Sequence, residues 1–119
     1  MSVGEKIVEA HKSADKWLNL IDRSEYSNSW SETASYFQNN VAIEEWKSTV
    51  RGLKQPLGNV LSREVASMQY TTTLPGSPDG EYVVIEYNTS FENKKSAVET
   101  VTPMLDPDGK WKVAGYYIN

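Results

Sequence analysis

Apolar residues return every three or four positions through the first half of the chain and alternate with polar ones through much of the second. Val3, Ile7, Ala10, Ala14, Trp17, Leu18 and Ile21 form one stripe and predict a helix over residues 3–20. Asp22 can cap a second helix, with Glu25 as its capping-box partner. That helix would carry Tyr26, Trp30, Ala34 and Phe37 on one face. Asn39 and Asn40 interrupt the pattern, and Ile43, Trp46, Val50 and Leu53 define a third helical stripe. Pro56 should end it, because proline cannot donate an amide proton and disfavours helical geometry before it. Residues 57–61 read as a connector in which Gly58 supplies a backbone shape that a side chain resists.

From Arg63 onward β-prone residues dominate, and strands are expected over 64–74, 81–91, 95–103 and 110–118. The second alternates cleanly: Val83, Ile85, Tyr87, Thr89 and Phe91 face one way, and Tyr82, Val84, Glu86, Asn88 and Ser90 the other. Dense turn signals at 75–80 and 106–109, and a short one at 92–94, separate the strands. Such connections are too short for crossover helices, so the sheet should be an antiparallel meander. The fold class is α+β, one domain over 1–119, with N-terminal helices on one face of a curved four-stranded antiparallel sheet.

Composition narrows the function. The net charge of -4, with no window rich in Lys and Arg, argues against a nucleic-acid partner. Asn93-Lys94-Lys95 reads as a solvated hairpin tip. The chain has no cysteine, which excludes thiol catalysis, disulfides and Cys-based metal sites. One histidine without clustered ligands is a poor metal candidate, and no dinucleotide, phosphate-loop or calcium-loop pattern is present, so no cofactor is expected. No apolar run approaches the roughly 20 residues of a membrane span, and Met1–Lys6 shows no signal-peptide apolar region.

A longer constellation follows. Trp17, Tyr26, Trp30, Trp46, Arg51, Pro56-Leu57-Gly58 and Arg63 precede Leu74-Pro75-Gly76, Asp79-Gly80-Glu81-Tyr82, Phe91, Asn93-Lys94, Glu99-Thr100 and Asp108-Gly109-Lys110-Trp111. The chain closes on Ala114-Gly115-Tyr116-Tyr117-Ile118. From about Ala14 to Ile118 it resembles the DUF4019 family, small bacterial domains of uncharacterised function. The resemblance implies an NTF2-like or cystatin-like roll. It also implies a periplasmic or exported protein where a leader has been removed, and a cytoplasmic one otherwise. It brings no catalytic residue with it.

Several residues are candidates for chemistry. Arg51 and Arg63 flank the Pro56-Leu57-Gly58 connector and can clamp a carboxylate or phosphate. They can equally brace the loop against carbonyl oxygens, Glu64 or Glu99. Tyr82 and Tyr116 are candidate ligand-lining rings, and Tyr116 and Tyr117 must face opposite sides of the last strand. His11 and Asp15, four apart on the first helix, form either a proton-transfer pair or an exposed surface pair. Glu86 and Glu99 form paired carboxylates only if strand register sets them together; a salt bridge to Arg63 or a solvent-facing glutamate is the alternative. Four Trp, seven Tyr and two Phe serve mostly the core but also suit a pocket.

The reading is a non-catalytic domain that binds a small ligand, a peptide or a protein, with the ligand between helices and concave sheet near Arg51, Arg63 and a tyrosine. A cavity enzyme of the isomerase or dehydratase type, built on His11, Asp15, Glu86 and Glu99, is one alternative, and a structural or dimerisation domain is another. A homodimer through the outer sheet face is also expected.

Overall fold

Ser2 opens α1 (Val3–Asp22) with a capping box: its hydroxyl accepts the Glu5 amide while the Glu5 carboxylate accepts the Ser2 amide. In this computed structural model, which describes Met1–Asn119, α1 is followed by α2 (Tyr26–Ser31), α3 (Ser35–Asn40), α4 (Ile43–Lys54) and a short 3-10 turn, Gln55–Leu57. The strands are β1 (Val60–Thr71), β2 (Tyr82–Phe91), β3 (Lys94–Leu105) and β4 (Trp111–Ile118). They pair antiparallel in the order β1-β2-β3-β4, the meander expected from the short connections. No helix is long and apolar enough to cross a membrane.

The expected second helix is divided. The chain leaves helical geometry between α2 and α3, where Thr33 bridges to Val113 and the Ala34 amide donates to the Val113 carbonyl at 2.8 Å. Pairing with the edge of β4 overrides the helical pattern there. Asp22 ends α1 instead of capping the next helix, and Glu25 stands at the start of α2 without a side-chain cap. β1 begins at Val60, inside the stretch expected to be a connector, because Val60 pairs with Phe91 across the β1–β2 ladder.

Core formation follows the two periodicities. Ala10, Ala14, Trp17, Leu18 and Ile21 of α1 meet Val83, Ile85 and Tyr87 of β2, Val101 of β3, and Trp111 and Val113 of β4. Trp46 and Val50 of α4 complete the cluster. Each large apolar side chain buried in this way contributes about 1.5–3 kcal/mol. Three indole N–H groups find acceptors: Trp17 on the Ser29 carbonyl, Trp46 on the Ser29 hydroxyl and Trp30 on the Val41 carbonyl. The interior between helices and sheet is thus packed with rings, and the clefts lie at its periphery.

The third helical stripe is shifted by one residue at its end. Trp46, Val50 and Lys54 are buried on α4, whereas Leu53 is exposed. A lysine therefore occupies the last inward position of a helix whose other inward residues are apolar.

The outer sheet face is mostly polar. Register places Glu64, Ser67 and Gln69 of β1 beside Asn88, Glu86 and Val84 of β2, and Val98 and Thr100 of β3 continue the rows. Tyr117 pairs with Thr100 there and is largely exposed, while Tyr116 turns inward, as adjacent strand residues must.

Candidate functional site

The C-terminal ends of α1 and α4 converge on the start of β1, and there the structure gathers its densest set of charges. Glu99 lies at the centre with 0% exposure. Its Oε1 accepts Arg63 Nε and the Thr89 hydroxyl, each at 2.7 Å, and its Oε2 accepts the Tyr116 hydroxyl. Arg63 uses its other nitrogens on Asp22, donating from Nη1 at 2.7 Å and from Nη2 at 3.0 Å. This fork ties the end of α1 to β1 and β3. Glu99 is buried among fixed donors, so an ion is tolerable where an isolated one is not.

The titrations follow from that geometry. Burial pushes the Glu99 carboxyl up, but Arg63, Thr89 and Tyr116 outweigh it and hold the group below the usual glutamate range. Burial works to lower Arg63, and its bonds to Asp22 and Glu99 overcome this and raise it. Tyr116 is raised by burial and by Glu99, so its proton stays on the phenol.

Lys54 is the fourth ion of the group and differs from the others. It is only 7% exposed, and its Nζ is the one buried side-chain polar atom without a hydrogen-bond partner. Nζ lies 3.9 Å from Glu99 Oε2, beyond hydrogen-bond reach, and 4.3 Å from the centroid of the Phe91 ring. Burial lowers its affinity for the proton, while Glu99 and then Asp22 work in the opposite direction.

A cleft of about 420 Å³ opens beside this group. Asp22, Ser24, Tyr26, Arg51, Lys54 and Asn59 supply its functional groups, and Ile21 and Val60 add apolar surface. Two wall residues adopt left-handed backbone conformations. Gly58 has φ 76°, and a side chain there would meet the Glu92 carboxylate at 2.9 Å. That carboxylate accepts the Asn59 amide and fixes the turn into β1. Ser24, just past α1, has φ 59°, a conformation that favours glycine.

The expected site residues divide accordingly. Arg51, exposed on α4, lines the cleft and takes part in none of the ion pairs around Glu99. Arg63 and Tyr116 lie in the ion network behind the cleft, bonded to carboxylates. Tyr82 is elsewhere: its ring is 1% exposed in a smaller cluster with Ala34 and Met104, and its hydroxyl donates to the Pro78 carbonyl. It braces the turn before β2 and faces no site with Arg51 or Arg63.

The acid–base candidates do not converge. His11 Nε2 is 3.2 Å from Asp15 Oδ2 on the partly exposed side of α1, and Asp15 also accepts the Tyr87 hydroxyl at 2.9 Å. Glu86 pairs with Thr100 while Tyr87 pairs with Glu99, so Glu86 faces outward and Glu99 inward. Glu86 accepts the Ser67 hydroxyl on the outer face. The register thus separates the two carboxylates across the sheet, and Glu99 instead makes the salt bridge to Arg63 that was the alternative.

The family model for a protein of unknown function, DUF4019, matches residues 13–116, nearly the whole chain. The chain belongs to the DUF4019 family. No curated protein matches it. Sequence reasoning missed Asp22 and Lys54 as site residues. The available signal was the spacing of Trp46, Val50 and Lys54, which places the lysine on the inward face.

Proposed function

We propose that this DUF4019 domain is a non-catalytic binding domain whose small-molecule site is the cleft between the ends of α1 and α4 and the start of β1. The observation that carries the reading is the meeting there of an unengaged arginine, Arg51, with the buried, unbonded ammonium of Lys54. Buried polar groups are normally hydrogen-bonded, and the exceptions call for an explanation. The scattering of His11, Asp15, Glu86 and Glu99 supports binding over acid–base catalysis, which needs its groups within hydrogen-bond reach of one substrate. Amide NMR during a screen of small metabolites tests it. Shifts should cluster at Ser24, Tyr26, Gly58 and Asn59; shifts confined to other surfaces would refute the reading.

A peptide partner is favoured by a separate feature. A groove of about 1160 Å³ runs along α1 and the β3–β4 turn, lined by six basic and two acidic side chains, with Leu20, Leu105 and Trp111 beneath. Lys6, Lys12, Arg23 and Lys112 are paired with carboxylates, so Lys16 and Lys110 carry the unpaired positive charge that suits an acidic peptide segment. Its affinity should fall steeply with salt; salt-independent binding, or none, would count against it. Pairing of two copies through the outer sheet face would rest on Val84, Val98 and Tyr117 among polar neighbours. Sedimentation showing only the 13.4 kDa monomer at micromolar concentration would exclude it.

A further inference from the structure

We infer that the cleft at the ends of α1 and α4 receives a small monocarboxylate with an apolar body, held by Lys54 in its depth and by Arg51 at its exposed side; this rests on the cleft-binding reading above. The charges lining the cleft are Arg51, Lys54 and Asp22. Asp22 is already bonded through both oxygens to Arg63, which also holds Glu99. Glu92 is engaged by the Asn59 amide. Within the cleft lining, the arithmetic is two cations less one anion, a surplus of one positive charge. One negative charge on the ligand balances it. A dianion would bring its second charge toward Asp22 and Glu99.

Hydrogen bonding leads to the same class. The Lys54 ammonium has three N–H donors and no acceptor. Glu99 Oε2 accepts only the Tyr116 hydroxyl, and Nζ stands off from it at 3.9 Å, beyond hydrogen-bond reach. As it stands, the ammonium rests over the Phe91 ring. The lysine stem is flexible, so rotation can carry Nζ to an acceptor in the cleft. A carboxylate offers two oxygens, one for Lys54 and one for Arg51, and charge-assisted bonds of this kind are roughly twice as strong as neutral ones. Ile21, Tyr26 and Val60 leave apolar wall for the remainder of the molecule.

Benzoate and benzamide share a shape and differ in charge, and they make the test. Calorimetry and amide NMR on the full chain should show benzoate binding with shifts at Ser24, Gly58 and Asn59, and benzamide binding at least about tenfold more weakly. Lys54→Met and Arg51→Ala should each weaken benzoate by about tenfold or more and leave benzamide unchanged. Arg51 is exposed, so its variant keeps the test open if Lys54→Met does not fold. Equal binding of both compounds in the cleft would overturn the carboxylate inference and leave the cleft reading intact. Failure of acetate, hexanoate and benzoate to move any cleft amide at millimolar concentration would also overturn the inference. If benzamide and the metabolite screen moved none either, the cleft reading would fall with it.

Discussion

Three places in this molecule bring together a carboxylate, a tyrosine hydroxyl and a basic side chain; Glu81 with Tyr70 and Lys6 is one, and the other two differ in almost every consequence. At one, Glu99 takes Tyr116, Thr89 and Arg63 in a buried site spanned by all four strands and the end of α1. At the other, Asp15 takes Tyr87 and His11 at the partly exposed side of α1, with the His–Asp pair set by one helical turn. Both tyrosines are held protonated, by burial first and by the carboxylate next. The groups are alike and the surroundings are not. Around Glu99 the desolvation of the carboxylate and of Arg63 is offset by fixed partners, so losing one strands another. At the exposed pair water replaces whatever is lost.

Glu99 is the acceptor that the buried cluster shares. Glu99→Ala should cost about 3–5 kcal/mol in denaturant unfolding, because Arg63 and the Tyr116 and Thr89 hydroxyls lose their acceptor together. A loss below about 1 kcal/mol would show that the cluster contributes no more than a surface pair.

Acid titration sharpens the contrast next. The Glu99 carboxyl sits below its ordinary value of 4.5 in the folded protein. Its contribution is therefore fully present above the unfolded-state value and is lost as pH falls through the lower folded-state value. Stability should drop on acidification below about pH 4.5, and Glu99→Gln should flatten that limb in a series of unfolding curves. An unchanged limb would assign the acid sensitivity to other carboxylates.

A smaller change is expected at the cleft wall. Ser24→Gly should raise stability by up to about 1 kcal/mol, since glycine adopts φ 59° without the steric cost that serine carries. Loss of stability would mean that the serine side chain is needed for the fold. Smallest of all, His11→Ala should change stability by no more than about 0.5 kcal/mol, the usual worth of an exposed pair one helical turn apart. A larger loss would mean that the two places are not so different.

Much of the fold was legible in the sequence because it depends on local periodicity. The stripe Ala10, Ala14, Trp17, Leu18 and Ile21, and the alternation from Val83 to Phe91, are the buried rows of α1 and β2. What failed was set by distant partners. The helix expected through Ala34 broke because Thr33 meets Val113 of β4, and no local signal encodes that contact. Whether Glu86 meets Glu99 was left open by the sequence, and the register answers it by placing Thr100 opposite Glu86. The site was half legible. Arg51 lines it and Arg63 stands behind it, but the bond from Arg63 to Asp22 spans 41 residues and appears only once the chain is folded. Lys54 was missed because the third stripe, by sequence, ends at Leu53, and a shift of one residue at the end of α4 turns Lys54 inward instead.

Lys54 lies buried beside Glu99 without a hydrogen bond to it. Unfolding of Lys54→Met, measured against the parent protein without added carboxylate, tests most directly why it is there. If Lys54 is kept for a ligand, methionine removes a buried ammonium that bonds to nothing, fills similar volume, and leaves stability equal or higher. If Lys54 is instead the structural partner of Glu99, the substitution breaks a buried ion pair and costs about 3 kcal/mol or more, a result that would contradict the central claim.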